Sequence, residues 1–183
     1  MRTMFSMAGA IAISGMAVLT IAQASSPQTP ATKTQIPKSI QAEHEAIHAM
    51  LVEATRAPGR VGAAAKTLAD VLDPHFNREE EIALPPLGVL APLAARTKLT
   101  DAQASEVLTM SDSLRRELPR MLEEHTRIRA AVDGLRQAAK AERAVKYEQL
   151  ADDLAMHAQT EEEIMYPAAV LVGDLIRAAR QAK

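Results

Sequence analysis

Four of the five histidines in this chain fall in a pattern that occurs twice. His75 is followed, after Phe76-Asn77-Arg78, by three glutamates, Glu79 to Glu81. His157 is followed, after Ala158-Gln159-Thr160, by Glu161 to Glu163. Each copy trails a Glu-His pair, Glu43-His44 or Glu124-His125, by 31 or 32 residues. The fifth histidine, His48, lies one helical turn after His44. Imidazoles and carboxylates at these spacings are metal donors. Nitrogen and oxygen without sulfur suit iron, manganese or zinc rather than Cu(I).

These residues need helices to hold them. Alanine is abundant, apolar residues make up 48% and aromatics 2% of the 183 residues, which suits helices and argues against a β-sandwich. Helix 1 is predicted from about Ser39 to Arg56, before a turn at Pro58-Gly59. Helix 2 is predicted to start near Val61 and end before Pro85-Pro86, with a kink or restart at Asp73-Pro74. Residues 87–100 read as a loop. Thr100 and Gln103 make a capping box for helix 3, which continues to about Ala139 with a second kink at Pro119. Helix 4 is predicted from about Arg143 to Ala179, bent at Pro167.

Helical periodicity sorts the donors. At about 100° per residue, Glu79 and Ile82 share the face of His75, while Glu80 and Glu81 turn away to a solvated face. Likewise Leu150, Leu154, Glu161, Ile164 and Ala168 share the face of His157, and Glu162 and Glu163 turn away. His125 lies with Leu114, Leu118, Met121, Leu122, Ile128 and Val132, and His44 with Ile40, Ile47 and Leu51. The methionines read as core filling. Chain lengths to the turns place His44 level with His75, and His125 level with His157. The middle connection does not balance, so part of 87–113 must overhang or cross the bundle end.

A lone histidine on an apolar face is ordinarily a hydrogen-bonded core residue. The doubled pattern points instead to metal, because buried imidazoles and carboxylates need partners. Six side chains are too many for one tetrahedral zinc. Two ions fit better, with Glu79 and Glu161 bridging and His44, His75, His125 and His157 at the ends.

The remaining composition sets bounds. A net charge of −2 offers no basic surface for nucleic acid. Without cysteine there are no disulfides or thiolate metal sites. Arg2, an apolar run from Met7 to Ala22 and the small-x-small triplet Ala22-Gln23-Ala24 read as a secretory signal over residues 1–24, cut before Ser25. The rival reading is an uncleaved anchor, against which the run is short and broken by Ser14 and Gly15. Export places the protein in the periplasm or outside the cell, with no membrane attachment after cleavage. Residues 25–38, rich in Ser, Thr, Pro and Gln, read as a flexible leader, and residues 39–183 as one domain.

The order His44, His75-x-x-x-Glu79, His125, His157-x-x-x-Glu161, with Pro85-Pro86 and Tyr166-Pro167 following, resembles the hemerythrin-like HHE family over residues 39–175. The resemblance implies an all-α, up-down-up-down four-helix bundle with an internal pseudo-two-fold repeat. It further implies two non-haem iron ions with an oxo or hydroxo bridge. His44, His75, His125 and His157 would be terminal ligands, and Glu79 and Glu161 would be bridges. Oxygen-carrying hemerythrins have a His-x-x-x-His pair on the third helix, where this chain has Arg129. They also have an Asp five residues after the fourth-helix His, where this chain has Glu161 at four. His48 can supply a fifth imidazole from the mirrored side, or stay outside the ligand set. Glu45-x-x-His48 matches one ferritin-like element, but that fold needs two.

Three functions compete. A carrier or sensor would bind O2 or another small diatomic ligand. A di-iron oxidoreductase would act on peroxide or nitric oxide, or oxidise and store iron. In a third reading the metal only staples an interaction bundle.

Overall fold

The computed structural model describes residues 34–182. The expected signal peptide and most of the expected leader lie outside them. The described residues are all-helical: α1 (Lys38–Thr55), α2 (Gly59–Arg78), α3 (Leu90–Ala94), α4 (Asp101–Glu142), α5 (Val145–Thr160) and α6 (Tyr166–Gln181). A π turn, Glu79–Ala83, and a 3-10 turn, Pro85–Val89, follow α2, and a second π turn, Glu161–Met165, joins α5 to α6. The result is a helical bundle of four rods. No helix among the described residues is long and apolar enough to cross a membrane.

Apolar periodicity builds the rods. Ile47, Leu51 and Ala54 of α1 meet Val61, Ala65, Leu68 and Leu72 of α2. Ile128, Val132 and Leu135 of α4 and Leu150 and Leu154 of α5 close the same core. Thr100 caps α4 in the expected box with Gln103. The turn into α2 is sealed from across the bundle, where the Glu142 carboxylate accepts from the backbone N–H groups of Arg60 (2.6 Å) and Val61 (3.3 Å). A carboxylate there also complements the positive end of the helix dipole.

Neither Pro74 nor Pro119 ends its helix; α2 and α4 run through them. Both prolines are exposed, so the carbonyl that each ring frees faces water. The expected loop 87–100 is partly ordered by the 3-10 turn and α3. Its Val89 packs with Ala104 and Val107 of α4 and Val172 and Ile176 of α6. The early turns of α4 therefore run alongside α6, which accounts for the residues that the middle connection left unbalanced. Ser111 Oγ donates to the Ala169 carbonyl (2.8 Å) where these two helices meet.

The end of the leader is anchored. Thr34 is buried, and its N–H and hydroxyl both donate to Glu106 Oε2 (2.9 and 2.7 Å). The Gln35 carbonyl lies so close to Gly88 that a Cβ there would come within 1.9 Å of it.

Candidate metal centre

The two π turns begin at the two inward glutamates. Leu84 N–H reaches back five residues to the Glu79 carbonyl (2.9 Å), and proline follows each turn, at Pro85 and Pro167. A proline ring would crowd the carbonyl four residues back, and widening the turn relieves that clash. The extra residue also delays the helical phase by about 100°. This corrects the expectation for helix 4: Ile164 is 62% exposed, while Met165, Tyr166 and Ala169 face inward. Leu122 is likewise exposed rather than inside.

Upstream of the turns the periodicity holds, and six polar residues converge in the core: His44, His75, Glu79, His125, His157 and Glu161 are all nearly inaccessible to solvent. They form two groups, each able to hold a metal ion, with ligand atoms within 4.8 Å of one another. One comprises His44, His157, Glu79 and Glu161; the other comprises His75, His125 and the same two glutamates. In the first, His44 Nε2 lies 3.8 Å from Glu79 Oε2 and 3.6 Å from Glu161 Oε1. In the second, Glu79 Oε1 is 3.2 Å from His75 Nε2, and Glu161 Oε2 is 3.4 Å from His125 Nε2. Each carboxylate thus turns one oxygen to each group.

Four atoms test whether a cation fits. His44 Nε2, His157 Nε2, Glu79 Oε2 and Glu161 Oε1 are buried without a hydrogen-bond partner. They are one donor atom from every member of the first group. His157 Nε2 is only 2.9 Å from Glu161 Oε1, yet the two are not hydrogen-bonded. Donors at about 2.1 Å from a shared ion lie roughly 3 Å apart, each pointing at the ion instead of at its neighbour. Stranding four such atoms in a core costs several kcal/mol in total, on the order of 1–3 each, unless something bonds them. The residues fit a metal.

Outward, each of the four clustered histidines meets a carboxylate at Nδ1: Glu80 for His44 (3.3 Å), Glu124 for His75 (2.9 Å), Glu162 for His125 (2.7 Å) and Glu43 for His157 (3.2 Å). A proton on Nδ1 donates to that carboxylate, leaving the Nε2 lone pair directed inward. This corrects the solvated-face reading of Glu80 and Glu162. Arg120 braces Glu124 (2.9 Å) and Arg129 braces Glu162 (2.5 Å). The pairing also explains the Glu-His doublets, since Glu43 and Glu124 each serve a histidine of the other half.

Sequence reasoning missed Tyr166 as a site residue. Its fully buried hydroxyl donates to Glu79 Oε1 and lies 3.2 Å from His125 Nε2 and 3.4 Å from His75 Nε2. Phe76 stacks on His44, ring centroids 4.1 Å apart. His48 joins neither group. It is exposed, on the wall of a cavity of about 370 Å³ shared with His44, Glu45, Asp73, Phe76, Asn77 and Glu80. It sits at the edge of the stripe, and its mirrored position, Arg129, also points outward.

Without a cation the cluster holds protons. Burial pulls the His125 imidazole down, but Glu161 and Glu79 outweigh it and push it up to about 10. His157 is pushed up to about 9, with Glu161 overcoming burial, and His75 is raised against burial by Glu79 and Glu124. Burial raises the Glu161 carboxyl, yet His125, His157 and His44 hold it well below the usual carboxylate range. Burial first, then the charges of Glu79 and Glu161, drive the Tyr166 phenol far above its ordinary value.

Residues 116–182 match the family model described as hemerythrin HHE cation binding domain. No curated protein and no solved structure matches the chain. The match takes in His125, His157, Glu161 and Tyr166, and residues 43–80 repeat the same donor pattern. Over residues 116–182 the chain is similar to the hemerythrin HHE cation binding domain.

Proposed function

We propose that this is a di-iron protein that binds O2 or another small diatomic ligand for storage, delivery or sensing. His44 and His157 would hold one iron, His75 and His125 the other, and Glu79 and Glu161 would bridge them in an up-down-up-down bundle. The observation that carries this reading is the set of four partnerless donor atoms, one from each residue of one group. A ferrous pair with an open position supplies reversible binding of a diatomic ligand. The chain would contribute the enclosure: Leu72, Phe76, Ile128, Leu154 and Ala158 line the gap beside the histidines, which has no room for water. The outer carboxylates would fix the rings, so that a ligand arriving or leaving moves little of the protein.

A second reading is an oxidoreductase acting on peroxide or nitric oxide, or on iron itself. The open cavity beside His44, His48 and Glu80 favours it, because solutes and protons can approach the cluster there. Exposing anaerobically reduced protein to O2 and then degassing separates the two. Spectral reversal is expected for a carrier; irreversible oxidation, or steady turnover with peroxide, would replace that reading with the enzyme. The apolar run Met7–Ala22 supports export to the periplasm or beyond, to be checked by the N-terminal residue of the exported protein, expected at Ser25.

A further inference from the structure

Resting on the iron-pair reading, we propose that the phenol oxygen of Tyr166 is a fifth protein donor to the ion held by His75 and His125. The two halves of the cluster repeat in every other donor: His44 corresponds to His125, His75 to His157, and Glu79 to Glu161. Tyr166 breaks the repeat. Nine residues after His157, it corresponds to Leu84, nine after His75, which is equally buried but has no polar atom to offer.

The break falls on one side only. All four partnerless atoms face the ion position between His44 and His157. The inner atoms of the other half, His75 Nε2, His125 Nε2 and Glu79 Oε1, are all gathered around the Tyr166 oxygen. Its distances to the two imidazole nitrogens, 3.4 and 3.2 Å, match those separating the other donors of that group, 3.2 Å for His75 to Glu79 and 3.4 Å for His125 to Glu161. Atoms spaced in this way can share one ion at about 2.1 Å. The π turn before Tyr166 and Pro167 after it fix the helix phase that aims the ring inward.

Coordination to ferric iron releases the hydroxyl proton to water and involves no electron transfer. The ion between His44 and His157 then has one protein donor fewer than its neighbour. An incoming ligand is directed to that ion, on the side of the Phe76 ring and the surface cavity.

The test is resonance Raman spectroscopy of the ferric, iron-loaded protein grown with ring-deuterated tyrosine. The chain has two tyrosines, and Tyr147 packs against the core cluster from the first turn of α5. Visible excitation is expected to enhance phenolate ring modes that shift with deuterium, vanish in Tyr166→Phe and persist in Tyr147→Phe. Two irons per chain with no isotope-sensitive ring modes would overturn the inference and leave the iron pair standing. Fewer than two irons per chain would overturn the iron pair, and this inference with it. The isotope shift in the unsubstituted chain decides the matter even if Tyr166→Phe does not fold.

Discussion

A glutamate four residues after an inward histidine and the glutamate next to it do different work here, although both are acidic and adjacent. Glu161 is buried between imidazoles, while Glu162 is partly exposed and holds His125 from outside, with Arg129 behind it. Among the described residues Glu163 reaches only Gln159, whose amide N–H donates to it. Carboxylates behind metal-bound histidines set ring orientation and basicity, and losing one typically weakens binding 10–100-fold. Glu162→Gln should therefore weaken Zn(II) or Fe(II) binding by roughly 10–100-fold in competition with a chelator, while Glu163→Gln leaves it unchanged. Equal behaviour of the two variants would refute the orienting role. His48→Ala belongs to the same comparison: an exposed residue outside both donor groups should leave iron content at the level of the unsubstituted chain.

Between elements, contact distance decides what each helix tolerates. Gly173 of α6 faces Ser111 of α4 so closely that a Cβ would lie 2.5 Å from the Ser111 Cβ, whereas Gly134 of α4 has nothing within 4 Å. Gly173→Ala should cost about 1–3 kcal/mol by overpacking. Gly134→Ala, in an exposed helix interior, should gain about 0.5–1 kcal/mol. Urea unfolding of both variants checks the signs, and a neutral Gly173→Ala would mean α4 and α6 have room to separate. Position relative to the π turns decides which residues were legible in the sequence. His75 and His157 precede the π turns, Glu79 and Glu161 open them, and His44 and His125 lie on rods without one, so the 100° rule holds for all six and their common face could be read directly. Ile164 lies within, and Tyr166 just after, a turn that slips the phase by one residue, and nothing in local periodicity announces the slip except the proline that follows. The outer carboxylates were hidden for a different reason. Each lies on a different rod from the histidine it serves, and only the doubling of Glu43-His44 as Glu124-His125 hints at the exchange.

For the whole molecule, protons and metal compete for the same core, and the competition has a definite sign. In the metal-free chain His125 and His157 hold protons up to about 10 and about 9, against about 6.5 for an ordinary imidazole. That stabilisation is complete below about pH 6.5 and is lost as pH rises through the folded-state values. Glu161 acts oppositely: its depressed carboxyl contributes above the ordinary carboxylate range, and that contribution is lost as pH falls. The metal-free protein should therefore be most stable between about pH 4.5 and 6.5 and weaken steadily from there to about pH 10. Metal binding needs the lone pairs that those protons occupy, so its advantage grows over the same interval. The stabilisation conferred by metal should widen with pH even as the metal-free chain declines. Near saturation each bound ion adds about 1.4 kcal/mol of stability per tenfold rise in free metal, so two ions add about 2.8 kcal/mol. Urea unfolding in buffered Zn(II) at several pH values measures both quantities together. A slope corresponding to one ion, or a metal-dependent gap that narrows as pH rises, would show that the four rods do not close around a pair of cations.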